Sequence, residues 1–351
     1  MKVIKVNTKI PYNIIIKAGI LNSSGELLKS ITNAKRICIV SDSNVSKLYA
    51  EKVRTSLIKS GFNTSLFIFK AGETSKRLST INDMYSFFCK NSLTRTDLVL
   101  ALGGGVTGDM AGFAAATYLR GIDYIQVPTS LLAQIDSSIG GKTGVDIEYG
   151  KNLVGAFYQP KAVIIDPSVL STLNDNYFYD GLAEAIKYGC IKSYSLFEKI
   201  ENENPKDCIE DIIYECVNIK RQIIENDEFE SYERMLLNFG HTIGHSIETI
   251  YNYEKYSHGQ AVSIGMSLIT KVSENQKLTI PGTYKKLTSV LEKYNLPIID
   301  NCALSDIAKY SSNDKKSTGS TINLILIKEI GKGFIYPIKK SEIMPFLEKE
   351  E

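Results

Sequence analysis

The segment LVLALGGGVTGD, residues 98–109, with its continuation to residue 119, constrains this chain most. Residues 98–119 make the most apolar window of the sequence. Gly103, Gly104, Gly105, Gly108, Asp109 and Gly112 interrupt it too often for a membrane span. A short apolar run, then glycines, then small residues predicts a buried strand, a tight loop and a buried helix. Such a unit needs cover on both faces, which points to a parallel sheet with helical crossovers.

The flanking sequence carries the same alternation. Residues 36–42 read as a buried strand ending in Asp42, and residues 44–60 as an amphipathic helix stopped by Gly61. Residues 64–69, 97–102 and 124–127 predict further strands, with a helix over 77–90. From residue 182 the pattern turns helical, over 182–191, 208–225, 233–250 and 260–277. Residues 321–327 and 334–338 predict a hairpin around Gly331 and Gly333. The expected architecture is an α/β N-terminal Rossmann-like nucleotide-binding domain over 1–167. A mostly α-helical C-terminal metal- and substrate-binding domain follows over 168–351.

Charge narrows the function. The 41 basic and 39 acidic residues leave a net charge of +2, which argues against a nucleic-acid partner. The opening MKVIKVN lacks the apolar core of a secretion signal. The six cysteines, Cys38, Cys89, Cys190, Cys208, Cys216 and Cys302, form no CxxC pair. Free thiols in the cytoplasm, with no membrane partner, are the expectation.

In parallel sheets ligands collect at the carboxyl ends of the strands, where Asp42, Gly103 to Gly105 and Thr129 fall. Gly103, Gly105 and Gly108 satisfy GxGxxG, but at a third strand–helix turn rather than the first. A tight packing turn needs the same glycines. The loop AGETSK, residues 71–76, offers charge and hydroxyls. Further on, PTSLLAQIDSSIGGKTG (128–144) and GKNLVGAF (150–157) supply Lys142, Lys151 and Asn152, which can converge on one anion.

All three histidines fall between 241 and 258. His241 and His245 are four apart and share a helix face, and His258 opens the next predicted helix. Any two can bind a metal while the third handles protons or phosphate. A carboxylate ligand is available in GLAEAIKYG (181–189), where Glu184 sits near Lys187. Arg234 and Asn238 precede the histidines.

Together, GGGVTGDMAGFAAATYLRGI, LLAQIDSSIGGKTGV, GKNLVGAF, GLAEAIKYG and LNFGHTIGH resemble the 3-dehydroquinate synthase family, from about residue 42 to residue 333. The resemblance implies NAD, and a divalent metal (zinc, with cobalt as the alternative) on Glu184, His241 and His258. It assigns NAD to Asp42, Glu73, Lys76, Gly104, Gly105, Val106, Thr107, Gly108, Asp109, Thr129, Ser130, Lys142, Lys151, Leu170, Ser171 and Thr172. It assigns a phosphorylated seven-carbon sugar acid to Asp136, Lys142, Asn152, Lys187, Lys220, Glu230, Arg234, Asn238, His245, Lys315 and Lys316. Arg120 corresponds to the arginine contributed by the neighbouring subunit of a homodimer. The implied reaction is transient oxidation at C5, phosphate elimination, re-reduction, ring opening and aldol closure. It is the second step of the shikimate pathway, and the substrate's own phosphate can take the C6 proton.

Three stretches depart from the family pattern. TLNDNY (172–177) lacks the usual proline and Arg-Glu, FYQP (157–160) has tyrosine where histidine is usual, and ESYE (230–233) replaces a glycine before Arg234. Three rivals share the resemblance. They are another sugar phosphate cyclase of the deoxy-inosose or valiolone type, a metal-dependent polyol dehydrogenase, and a non-catalytic metabolite sensor. Asn238 with the DKK at 314–316 favours the dehydroquinate reading over the other cyclases, the many anion-binding residues disfavour the dehydrogenase, and intact Glu184, His241 and His258 disfavour the sensor.

Overall fold

Alternate residues of the apolar runs at 36–42 and 98–103 bury against opposite helix layers. Ile37, Ile39, Leu98, Leu100 and Leu102 pack with Leu28, Val53 and Leu57. Cys38, Val40, Val99 and Ala101 pack instead with Ile81, Met84, Phe88, Met110 and Ala114. The two-residue period of a strand thus builds a core on each side of one sheet.

The computed structural model describes residues 1–312 and 320–350. Two compact units emerge, Met1–Asn174 with Lys220–Glu228, and Asp175–Ile219 with Phe229–Glu351. In the first, strands β1 (Lys2–Val6), β2 (Tyr12–Ile16), β3 (Arg36–Asp42), β4 (Asn63–Phe69), β5 (Leu98–Gly103), β6 (Asp123–Pro128) and β9 (Ala162–Ile165) make one sheet. Its order is β1-β2-β9-β6-β5-β3-β4. Only the β1–β2 pairing is antiparallel. Helices α1 (Ser24–Ile31), α2 (Glu51–Lys59), α3 (Leu78–Lys90) and α4 (Gly105–Thr117) cover it. Strands β7 (Lys142–Ile147) and β8 (Gly150–Phe157) form a separate hairpin.

The chain steps from β3 outward to β4, then returns to β5 and proceeds through β6 to β9. The order therefore reverses between β3 and β5, the place where ligands bind in open parallel sheets. This explains the odd position of the glycine loop. It follows the third predicted strand, yet it flanks the reversal opposite the end of β3.

Residues 168–174 and 220–228, which the expected division at 167 assigned to the second domain, fall with the first unit. Asp166 accepts backbone N–H bonds from Gly19 (2.8 Å) and Leu21 (3.1 Å), and caps the turn at 167–172. Glu225 accepts from Asn7, and Glu228 from Lys9 and Gln159.

The second unit is helical, with α5 (Asp175–Lys192), α6 (Tyr194–Asn202), α7 (Ile209–Asn226, whose last turns fall with the first unit), α8 (His241–Ile250), α9 (His258–Asn275), α10 (Thr283–Lys293), α11 (Leu304–Ser312) and α12 (Ile343–Leu347). The hairpin appears as β10 (Thr321–Glu329) and β11 (Lys332–Lys339). The helix expected over 233–250 is broken. Residues 233–238 form a 3-10 segment, and Gly240 takes φ +77° before α8 begins at His241. A side chain at 240 would place its Cβ 2.5 Å from Met266 Cγ and 2.8 Å from the Val262 carbonyl oxygen. Glycine here serves both the left-handed turn and the backbone contact between α8 and α9.

Candidate active site

The close approach of α8 and α9 brings the rings of His241 and His258 to 5.2 Å between centroids. Both face α5. His241 Nε2 lies 3.3 Å and His258 Nε2 3.6 Å from Glu184 Oε1. The other Glu184 oxygen accepts from the Lys187 ammonium. Glu184 and Lys187 sit one turn apart on α5, and both side chains are 1% exposed. A buried charge this dehydrated needs a partner, and each supplies the other's.

The outer nitrogens are also occupied. His241 Nδ1 faces the Phe239 carbonyl oxygen at 3.1 Å, and His258 Nδ1 faces Glu248 Oε1 at 3.5 Å. Burial holds the His241 imidazole well below its ordinary pKa, against the opposing pull of Glu184. Burial pushes His258 the same way, but hydrogen bonds to Glu184 and Glu248 outweigh it and lift His258 to about 10. Two carboxylates on one imidazole favour its protonated form.

The ligand atoms of Glu184, His241 and His258 all lie within 4.8 Å of one another. One carboxylate oxygen and two imidazole nitrogens suit a zinc-like ion with a position left for substrate. His245 is part-exposed, its ring 5.5 Å from His241 and 6.1 Å from His258. A second close group combines His245, Glu248 and His258.

The start of α9 is tied to α5. The Gly259 N–H donates to Asp180 Oδ1 at 2.5 Å, and a Cβ at 259 would collide with the Asp180 carbonyl oxygen. Ser257 closes a capping box with Gln260. Asp180 lies one turn before Glu184, so this contact fixes the spacing of Glu184 and His258. Arg234 is 2% exposed, and Asn238 donates to Glu230 Oε1 at 2.9 Å. Lys315 and Lys316 lie outside the described residues.

In the first unit the residues assigned to NAD gather at adjacent strand ends. Asp42 closes β3 and accepts the N–H groups of Asn44 and Val45. Gly104 and Gly105 open α4, and the Thr129 N–H donates to the Gly103 carbonyl (3.0 Å) beside Ser130. Leu170, Ser171 and Thr172 follow β9, where Tyr49 OH meets Thr172 Oγ1 at 2.5 Å. Glu73 and Lys76 follow β4, with Lys151 Nζ 3.9 Å from Glu73. Lys76 donates to Asp109 Oδ2 and to Asn152 Oδ1, each at 2.6 Å. Burial presses on the Lys76 ammonium, yet Asp109 and Glu73 hold it above its ordinary pKa. Burial also raises the Asp109 carboxyl, against Lys76. The first turn of a thirteen-residue helix with no side chains at 104 and 105 fits a pyrophosphate.

The first unit also holds part of the substrate set. Lys220 Nζ donates to the Asp136 carbonyl (2.6 Å) and to its Oδ1 (2.7 Å). Lys142 opens β7 and is exposed. Arg120 is exposed on a turn where Leu119, Arg120 and Gly121 take φ of 51°, 67° and 118°.

Residues 66–180 match the model of the 3-dehydroquinate synthase N-terminal domain, and residues 181–317 that of its C-terminal domain. The chain is 48% identical to a 3-dehydroquinate synthase of Clostridium kluyveri, over 100% of this chain and 99% of that protein. The chain belongs to the 3-dehydroquinate synthase family. A second family member, from Clostridium acetobutylicum, is 49% identical over 96% of each chain. The solved structure of 2-epi-5-epi-valiolone synthase from Streptomyces hygroscopicus, with NAD+ and Zn2+ bound, superposes with a TM-score of 0.87. It covers 99% of this chain and 98% of that one, at 25% identity.

Three residues of this region carried no role in the sequence reading. Glu248 and Asp180 are buried acids whose partners come from other helices, so only their helical spacing from His241 and Glu184 marks them. Tyr158, the departure within FYQP, stacks on Tyr124 at 5.6 Å and donates to the Ile122 carbonyl. That packing accounts for an aromatic hydroxyl at 158. No helix among the described residues is long and apolar enough to cross a membrane.

Proposed function

We propose that this chain converts a 3-deoxy heptulosonate 7-phosphate to 3-dehydroquinate and phosphate, acting as a cytoplasmic homodimer with NAD and zinc or cobalt. Family membership makes it a phosphate-eliminating lyase of the shikimate route. The carrying observation is that Glu184, His241 and His258 offer three ligand atoms within 4.8 Å of one another, with Lys187 seated on the same carboxylate.

When bound, NAD supplies reversible hydride transfer, and the divalent ion polarises the hydroxyl being oxidised. The protein holds and orients. Glu184, His241 and His258 would hold the ion. Asp42, Glu73, Lys76, the Gly104–Asp109 loop, Thr129, Ser130, Lys142, Lys151 and the 170–172 turn would hold the dinucleotide. The substrate is doubly anionic. Arg234 and Lys220 suit its carboxylate, and Lys142, Asn152, Asn238 and His245 suit its phosphate. Asp136 keeps Lys220 pointed, and Glu230 does the same for Asn238. Lys187, 1% exposed, is a dehydrated ammonium that can orient the reacting hydroxyl without admitting water.

The test is direct. Purified protein with NAD, zinc or cobalt, and the heptulosonate phosphate should release phosphate and form dehydroquinate without net consumption of NAD. Absence of both products overturns the reading.

A further inference from the structure

His258 is held between two carboxylates from two different helices. Its Nε2 faces Glu184 Oε1 on α5 at 3.6 Å, and its Nδ1 faces Glu248 Oε1 on α8 at 3.5 Å. Glu248 is 6% exposed and lies seven residues after His241, on the same face of α8. His241 has a matching layout with a neutral acceptor, the Phe239 carbonyl, at its Nδ1.

We propose that Glu248 is a positioning residue that accepts the His258 Nδ1–H, fixes the tautomer with Nε2 as the ligand atom, and makes that nitrogen the stronger donor of the pair. The inference rests on the metal reading of Glu184, His241 and His258 and deepens it. Glu248 also lies within ligand distance of His245 and His258. A neutral imidazole, however, has one lone pair. If Nε2 spends it on an ion beside Glu184, Nδ1 carries the proton, and Glu248 is its acceptor rather than a ligand. A carboxylate behind a ligating histidine raises the basicity of the ring and holds its orientation, and its loss typically costs 10–100-fold in metal affinity.

The test compares wild type, Glu248→Gln, Glu248→Asp and Glu184→Gln, each stripped by a chelator and titrated with zinc against a chromophoric competitor. Glu248→Gln should raise the zinc Kd about 10–100-fold. Its cobalt form should show shifted visible bands. Glu248→Asp, which keeps the charge one methylene shorter, should fall between. A Glu248→Gln protein whose affinity and cobalt bands match wild type overturns the inference. So does weaker binding with unchanged bands and an equal drop in the melting temperature of the metal-free protein. Should Glu248→Gln not fold, a Glu248→Asp protein identical to wild type in affinity and spectrum overturns it, and a weakened one with shifted bands supports it. Glu184→Gln separates the two readings. If it binds zinc as wild type does, the metal site itself is misassigned.

Discussion

His241 and His258 share one oxygen of Glu184, at 3.3 and 3.6 Å, while Lys187 takes the other. The carboxylate is divided between an internal cation and a ligand position. Lys187 balances the buried charge when no ion is bound, and it opposes an incoming cation by like-charge repulsion.

Lys187→Met should therefore tighten zinc binding, on the order of tenfold for the removal of one neighbouring like charge. The metal-free protein should lose stability, by less than the about 3–5 kcal/mol of a fully uncompensated buried charge, because His258 still faces Glu184. Zinc should restore most of that loss. Turnover should drop at least a hundredfold, since a buried ammonium is removed from the reaction centre. Melting curves with and without chelator, together with a zinc competition titration, check all three. Weaker zinc binding would contradict the divided-carboxylate account.

Gly240→Ala is expected to cost about 2–5 kcal/mol. A left-handed φ of +77° adds about 1–2 kcal/mol for an L side chain. A Cβ 2.5 Å from Met266 Cγ adds about 1–3 kcal/mol of overpacking. The relief has to come from α8 moving off α9, which separates His241 from His258. Urea unfolding should show the loss, and zinc affinity should fall with it. A control at Gly282, also left-handed (φ +91°) but with nothing within 4 Å of its Cβ, should lose stability without losing zinc.

Much of the fold was legible because buried parallel strands are written as near-continuous apolar runs. Residues 36–42, 64–69 and 98–102 therefore stand out, and the helices at 208–225 and 260–277 follow from their period. The missed elements obey weaker signals. Strands β1, β2 and β9 are four or five residues long, and β7–β8 is rich in glycine and charge. The break at Gly240 was hidden because Ile243 and Ile247 keep the helical period across it. At the site, residue types and spacing offered three histidines and one carboxylate, with the choice among the histidines left open. Resemblance narrowed the choice to His241 and His258, whose rings lie 5.2 Å apart between centroids. His258 reaches back from a second helix, so the pair that converges is distant in sequence. Glu248 and Asp180 escaped because the partner of each is supplied by packing between helices.

Asp300 provides a pH test on a carboxylate that is not among the candidate metal ligands. Its side chain is 2% exposed and accepts from Tyr251 (2.8 Å), Lys255 (2.7 Å), Tyr256 (2.7 Å) and the Cys302 N–H (2.8 Å). Burial pushes its pKa up, but these bonds outweigh burial and hold it well below the usual carboxylate range. A depressed folded pKa contributes stability that is present above the unfolded value, about 3.9, and lost as pH falls through the folded one. Asp300→Asn should cost about 2 kcal/mol at pH 7, the scale of hydrogen bonds to a charged acceptor. The difference from wild type should shrink steadily below about pH 4. Urea midpoints between pH 3 and pH 8 measure it, and a pH-independent difference would refute the charge-based account.

Lys76 links three segments of the first unit. Its ammonium binds Asp109 in α4 and Asn152 in β8, and its own carbonyl accepts the Asp146 N–H at 2.8 Å. Lys76→Met leaves the part-buried Asp109, 19% exposed, without its cation, at a cost below the about 3–5 kcal/mol of a fully buried unpaired charge. NAD affinity should also fall at least tenfold, because the turn that opens α4 is no longer braced from the β4 side. Stability and binding are separable here. In the double variant Lys76→Met with Asp109→Asn the uncompensated charge is gone, so most of the lost stability should return. The brace across to Asn152 stays broken, so NAD affinity should not return with it. Calorimetric NAD titrations on the three proteins, alongside their melting temperatures, decide between bracing and bulk destabilisation. Recovery of both properties together would reduce Lys76 to a counter-ion.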